Sequence, residues 1–317
     1  MGGYRSVLVT GGNGLLGTKT LEMLLQEGRT AMSASLEPEA SNGFLGAFPY
    51  HQLDITDPAA VRGLLVSLKP DAVVHTAAFT AVDACETQRE LSRKVNVDGT
   101  ANVAMACREV GARMVHISTE YVFDGDAGPY SEEDRPNPIS YYGLTKLESE
   151  RAIQANCADW VIARTTILFG HAPNVRPSFV HWLIEKLRQG ESVRIVDDQV
   201  GSPTLADNLV EMLLALLDSG RREIYNTVGD AVIDRYGFSV IAAGLFDLDA
   251  SLIQRIKTAD LRQPAPRPLR AGLRMDKFKK DFPAVHVLTA QEALLRFRSQ
   301  LKQEPGTHLL ASDGGQN

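Results

Sequence analysis

A short apolar strand, Ser6-Val7-Leu8-Val9-Thr10, runs straight into Gly11-Gly12-Asn13-Gly14-Leu15-Leu16-Gly17, and no other stretch restricts the fold of this chain as much. Glycines 11, 14 and 17 are spaced Gly-x-x-Gly-x-x-Gly where the strand gives way to a helix expected to reach about Glu27. Glycine there permits a tight turn, lets the backbone approach a pyrophosphate and lets the helix pack closely on a sheet. The helix N-terminus adds free N–H groups and the positive end of the backbone dipole. Gly11, Asn13, Gly14, Leu15, Leu16 and Gly17 are therefore the candidate cofactor-binding turn. Turns of this kind also serve as plain connectors, so the rest of the chain has to be asked for support.

Thr30 to Ser35 is a plausible second strand, near whose end a carboxylate that bonds an adenosine ribose 2′-hydroxyl is expected. Ser33 and Ser35 stand there, with Glu37 only further on. The missing carboxylate leaves room for a 2′-phosphate and favours NADPH, with NADH as the alternative; the two serines also fit a simple loop. Leu53-Asp54-Ile55 closes a third strand, placing Asp54 to accept from the adenine amino group, although Asp54 to Asp57 also suits a cap for a helix begun by Pro58. Asp71 to Ala78 is the fourth strand, and its small residues Ala77 and Ala78 let a cofactor pass close to the backbone. His75, inside that apolar run, reads as a core histidine. Thr80 to Glu86 leads into a helix, a second helix runs from about Val97 to Val110, and Asn96 before it is either its cap or a supporting polar group. Arg113 to Ile117 is the fifth strand and delivers Ser118 and Thr119 to its C-terminal end. Short apolar strands alternating with helices predict an α/β chain with a doubly wound parallel sheet, whose ligands bind beyond the C-terminal strand ends.

Beyond that edge lies a loop from Gly128 to Pro138, then a helix from about Tyr141 to Asn156 and a sixth strand from Trp160 to Thr165. Tyr142 and Lys146, four apart, share one helical face. An ammonium near a phenol favours phenolate and is expected to lower its pKa from roughly 10 toward working pH, making Tyr142 a usable acid or base. Thr119, with Ser118 as substitute, can polarise a substrate oxygen. After Gly170 the alternation fades: Phe179 to Gln189 and Leu205 to Ser219 read as helices, Val193 to Val196 as a strand and Asp197 to Thr204 as a polar loop. Ile224 to Val228 is expected to return to the main sheet. The expected division is 1–168 for a dinucleotide-binding domain with a returning strand near 223–229, 169–303 for a substrate domain and 304–317 for a loose tail.

The net charge of -6 comes without a basic block, which argues against nucleic acid as a partner. Cys85, Cys107 and Cys157 are odd in number and lack metal-ligand spacing, so neither a disulfide framework nor a bound metal is expected. Met1 leads almost directly into the first strand and no run approaches a bilayer span, so a soluble, untargeted cytoplasmic protein is expected, with no membrane partner.

Thr10 to Gly17, the Thr119 hydroxyl and Tyr142-x-x-x-Lys146 together resemble an extended short-chain dehydrogenase/reductase. Within that group the chain resembles the dTDP-4-dehydrorhamnose reductase family in Ala77 to Asp83, in Ser118-Thr119-Glu120-Tyr121-Val122-Phe123-Asp124-Gly125 and in Asp198-Gln199-Val200-Gly201-Ser202-Pro203-Thr204. Arg267-Pro268 and Leu273 are similar to its C-terminal substrate region. The resemblance implies a Rossmann domain, a smaller lobe that closes on a nucleotide-sugar, and reduction of a 4-keto group by NADPH or NADH, with a homodimer left open. It implies Thr119, Tyr142 and Lys146 as the catalytic group, with Asp54, Ile55, Ala77, Ala78 and Thr80 beside the cofactor. Thr80, Val82, Glu120, Tyr121, Gln199 and Arg267 would face the sugar. Two positions depart from the family pattern: Glu120 replaces its usual Asp, and Ile167 stands where Trp is common. A nucleotide-sugar epimerase or dehydratase would share the fold, but the Asp-Glu pair typical of dehydratases is absent at Glu120-Tyr121. The NADP-binding regulatory beta subunit of methionine adenosyltransferase resembles the same reductases and is the alternative of a different class.

Overall fold

The computed structural model describes residues 4–40 and 48–303, so the tail expected at 304–317 lies outside the described residues. Its centre is a wholly parallel seven-stranded sheet built from β1 (Ser6–Thr10), β2 (Thr30–Ser35), β3 (Tyr50–Gln52), β4 (Ala72–His75), β5 (Arg113–Thr119), β6 (Trp160–Thr165) and, after four short strands outside it, β11 (Ile224–Asn226). The intervening strands are β7 (Leu168–Phe169), β8 (Val193–Val196), β9 (Val200–Gly201) and β10 (Thr204–Leu205), followed later by β12 (Ile233–Asp234) and β13 (Ile253–Ile256). Across the large sheet the order is β11-β6-β5-β4-β1-β2-β3, so the direction of winding reverses between β1 and β4. A crevice opens at such a reversal, because neighbouring loops leave the sheet toward opposite faces.

Why the chain builds this sheet is visible in the alternation of its buried side chains. Val7, Val9, Val74 and Val115 pack on one face, while Leu8, Val73 and Met114 pack on the other. Both faces are apolar, as a parallel sheet covered by helices requires. The first face is covered by α1 (Leu15–Gln26), through Leu21 and Leu24, and by α8 (Ala206–Asp218), through Leu209, Leu213 and Leu217. The second is covered by α2 (Pro58–Leu68), α5 (Thr100–Val110) and, through Ile153, α6 (Tyr141–Asn156), against which α3 (Val82–Thr87) and α4 (Arg89–Arg93) pack. A separate core of Phe169, Leu183, Ile195, Phe238 and Phe297 joins α7 (Phe179–Arg188), α9 (Arg235–Leu245) and α11 (Ala290–Gln303) to the β8–β13 pair, and α10 (Asp276–Asp281) lies against β11.

Some elements differ from their sequence expectation. The third strand ends at Gln52, leaving Leu53-Asp54-Ile55 beyond it, and the fourth ends at His75. The helix expected from Val97 enters α5 through a π-helical segment at Lys94–Gly99. The loop at 197–204 contains β9 and β10, which pair with β12 and β7. In the loop at 128–138 Tyr130 is buried, stacked on Phe123 with ring centroids 4.3 Å apart. Among the described residues no helix is long and apolar enough to cross a membrane.

Candidate active site

The C-terminal ends of β1, β2, β4 and β5 open on one cleft of about 980 Å³. Its floor is the glycine turn. Gly11 has φ +72°, and a Cβ there would stand 2.7 Å from the Ala77 nitrogen. A Cβ on Gly17 would stand 2.2 Å from the Gly11 carbonyl oxygen, so only glycine lets the turn close on itself. Gly14 caps α1 without any side-chain acceptor, leaving the first-turn N–H groups for a ligand. A backbone cradle plus unclaimed N–H donors fits the pyrophosphate of a dinucleotide, and Gly11, Asn13, Gly14, Leu15, Leu16 and Gly17 all line the cleft.

Asp54 and Ile55 line it too. Asp54 is exposed, its Oδ1 accepting from Thr56 N at 2.8 Å, while Asp57 is the residue that caps α2. Ala77, Ala78 and Thr80 form the wall after β4. Asn96, buried in the π-helical segment, accepts from Phe79 N at 2.7 Å and donates to Phe79 O and to Thr145 Oγ1, both at 3.1 Å. It therefore pins that wall to α6 and is a supporting group rather than a cap.

The opposite wall carries the titratable groups. Thr119 is the last residue of β5, and Tyr142 and Lys146 lie one turn apart on α6. Ser140 caps that helix by accepting from Gly143 N at 3.1 Å, and Gly143 lets it press on the turn after β5, where a Cβ would meet Tyr121 O at 2.1 Å. Thr119 Oγ1 donates to Glu120 Oε2 at 2.8 Å, and the rings of Tyr121 and Tyr142 meet edge to face at 5.5 Å. Burial, then the Glu120 carboxylate, raise the Tyr142 phenol above its ordinary value of 10.0. This differs from the sequence expectation of a lowered phenol: desolvation of the phenolate, reinforced by nearby negative charge, outweighs the Thr119 hydrogen bond that pulls the other way. Lys146 itself is brought down to about 8 by burial, against the opposing pull of Glu150, and its Nζ lies 3.1 Å from His116 Nε2.

Glu120, Tyr121, Thr80 and Val82 line the cleft, whereas Gln199 and Arg267 stand outside its lining. Gln199 donates to Thr258 Oγ1 at 3.0 Å and accepts from Arg235 Nε at 3.1 Å. Arg267 pairs with Asp83 at 2.9 Å and donates to the Ala265 carbonyl. Sequence reasoning passed over Arg176 and Arg235, which the chain beyond β7 brings to the cleft, and neither has a local motif that could have flagged it. Glu37, which the sequence places further on than Ser33 and Ser35, also lines the cleft.

With this geometry in place, comparison with known proteins decides the family. The family described as RmlD substrate binding domain matches residues 5–302. The chain belongs to this family. A dTDP-4-dehydrorhamnose reductase of Mycobacterium tuberculosis is 33% identical over 84% of this chain and 84% of its own. The methionine adenosyltransferase 2 subunit beta of Danio rerio is 32% identical over 87% of this chain and 84% of its own. The crystal structure of a dTDP-4-dehydrorhamnose reductase of Bacillus anthracis in complex with NADP superposes with a TM-score of 0.83 at 27% identity, covering 94% of this chain and 99% of that one. As an RmlD-family protein the chain is a nicotinamide-dependent oxidoreductase on a Rossmann sheet. Ile167, one of its two departures from the family pattern, holds φ +39°, and its Cδ1 would lie 2.7 Å from a Cβ placed on Gly201.

Proposed function

We propose that the protein reduces the keto group of a nucleotide-linked 4-ketosugar, with dTDP-4-dehydrorhamnose as the substrate to try first and Tyr142 as proton donor. One observation carries the reading: Thr119, Tyr142 and Lys146 line the same cleft as the glycine cradle. Gly11 to Gly17 would hold the dinucleotide phosphates, with Asp54, Ile55 and Ala77 to Thr80 along its length. The lobe built from 169–303, apart from β11, would receive the sugar.

A bound reduced nicotinamide supplies the electron pair and the hydrogen that go to the carbonyl carbon. The chain supplies the proton and the field. With its pKa raised, the Tyr142 phenol is protonated at neutral pH, as a donor to a developing alkoxide must be. Rotation about the Cα–Cβ bond turns the Thr119 hydroxyl from Glu120 onto the same substrate oxygen. Lys146, charged below about pH 8, steadies the phenolate left behind until solvent returns the proton.

The test is oxidation of reduced nicotinamide, followed by absorbance, with dTDP-4-dehydrorhamnose and the wild type or Tyr142→Phe. Loss of a general acid lowers kcat by roughly 10²–10⁴ while dinucleotide binding persists. No sugar-dependent oxidation by the wild type, or an undiminished rate in the variant, refutes the mechanism. A second reading, a regulatory subunit that binds a dinucleotide without turnover, is favoured by the likeness to the zebrafish subunit. Co-purification with a synthetase, together with no ketosugar-dependent oxidation, would decide for it.

A further inference from the structure

Among the described residues the adenosine end of the cleft is acidic and carries no Lys or Arg. After β2 the chain turns back, so that the Glu37 carboxylate reaches the phosphate-binding turn: Asn13 Nδ2 donates to Glu37 Oε2 at 3.1 Å. Two further tethers fix this arrangement, since Tyr50 OH donates to the Glu37 carbonyl at 2.6 Å and Asn13 N donates to Ser35 Oγ at 3.1 Å. Glu37 and Asp54 both line the cleft there. From Thr30 to Val61, which spans β2, β3 and everything between them, the sequence contains four carboxylates, Glu37, Glu39, Asp54 and Asp57, and no Lys or Arg. The flanking arginines are committed elsewhere: Arg29 is bidentate to Asp218 and Arg62 is bidentate to Glu109. Among the described residues the cations that do line the cleft are Lys146 on α6 and two arginines from beyond β7, Arg176 and Arg235.

In a doubly wound sheet the adenosine ribose lies beyond the end of the second strand, where a carboxylate accepts from the 2′-hydroxyl and an arginine accommodates a 2′-phosphate. A 2′-phosphate brought to this end would meet Glu37 and Asp54 with no guanidinium to offset them. We infer that this protein selects NADH over NADPH and that Glu37 is the residue that discriminates. The preference for NADPH expected from Ser33 and Ser35 assumed that no carboxylate reached the ribose, and Glu37 supplies one through the fold of the segment rather than through its place in the strand. The inference rests on the cleft being a nicotinamide dinucleotide site, and it is independent of which ketone is reduced.

Equilibrium binding of NADH and NADPH to the full chain, followed by the fluorescence of the reduced nicotinamide, tests it directly. AMP and adenosine 2′,5′-bisphosphate serve as competitors that lack the nicotinamide altogether. NADH is expected to bind at least about tenfold more tightly, AMP to compete better than the bisphosphate, and both ratios to narrow as salt is added. Glu37→Gln should narrow the NADH to NADPH ratio, and Leu36→Arg should raise NADPH affinity. Wild-type binding of NADPH as tight as that of NADH, binding of neither, or an unchanged ratio in Glu37→Gln overturns the inference. Because the wild-type competitor pair needs no variant, a misfolded Glu37→Gln leaves it decidable. NADH preference without ketosugar reduction would sink the proposed reaction alone, and reduction with equal use of both dinucleotides would sink this inference alone.

Discussion

Glu120 sits where a carboxylate is costly to charge. It is 7% exposed, and burial raises its pKa above the ordinary 4.5, although the hydroxyls of Thr166 and Thr119 and the Arg235 guanidinium pull the other way. Because the folded value is raised, the folded chain binds more protons than the unfolded chain between the two values. This contribution to stability is therefore fully present below the unfolded value and is lost as pH rises through the folded one. Glu120→Gln keeps an acceptor for Thr119 Oγ1 and removes the charge. Its melting temperature is expected to exceed that of the wild type at pH 8, with the gap closing near pH 4. Thermal unfolding across that range checks this, and a variant no more stable than wild type at pH 8 refutes it. Local sequence announced Glu120 as a departure from a motif but not its burial. Nor did it announce that β-branched Ile167 holds a left-handed backbone, a conformation that costs of order 1–3 kcal/mol and survives only when surrounding packing imposes it.

At the level of elements, α6 repeats its functional face once more: Glu150 follows Lys146 by four residues, as Lys146 follows Tyr142. Its carboxylate accepts from Ser118 Oγ at 2.5 Å and takes Arg164 Nε and Nη2 at 2.9 and 2.7 Å, with Glu150 and Arg164 both 2% exposed. Ser118 and Arg164 are register partners on β5 and β6, so one carboxylate ties the helix to two strands beneath Lys146. Glu150→Ala would strand a buried guanidinium and is expected to cost about 3–5 kcal/mol. Urea unfolding measures it, and a loss under about 1 kcal/mol would show that the guanidinium finds another partner. The i, i+4 spacing was legible in the sequence. The strand register that brings Ser118 and Arg164 to Glu150 was not, because pairing of β5 with β6 depends on residues 46 positions apart.

For the molecule as a whole, acid is the expected weakness. His75, enclosed between β4 and its covering layer, bonds Thr10 Oγ1 and Thr100 Oγ1 at 2.7 and 3.2 Å and stacks on His116 at 5.4 Å. Burial, then the Lys146 charge, bring its pKa from 6.5 down to about 3. The folded value is depressed, so below the unfolded value the unfolded chain binds the extra proton, and stability present above that value is lost as pH falls. The slope is about 1.4 kcal/mol per pH unit for one such group. Urea midpoints should therefore drop steadily from pH 6 to pH 4, and His75→Gln should flatten part of that slope. A pH slope that is unchanged in His75→Gln would refute the assignment.

What the sequence determined by itself was whatever is written in short periods. Glycine sterics placed the turn after β1, short strand-like runs alternating with helical ones placed strands such as Thr30–Ser35 and Trp160–Thr165, and a four-residue spacing put Tyr142 and Lys146 on one face. Those features depend on neighbours a few residues away, and a sequence displays neighbours. Only the tertiary structure decided that Glu37 turns back onto Asn13, that Arg235 and Arg176 reach the cleft while Gln199 and Arg267 stay outside its lining, and that the Tyr142 phenol is raised rather than lowered. Each of those depends on which distant side chains exclude water from a group or bring charge to it, and burial of that kind exists only once the layers have packed.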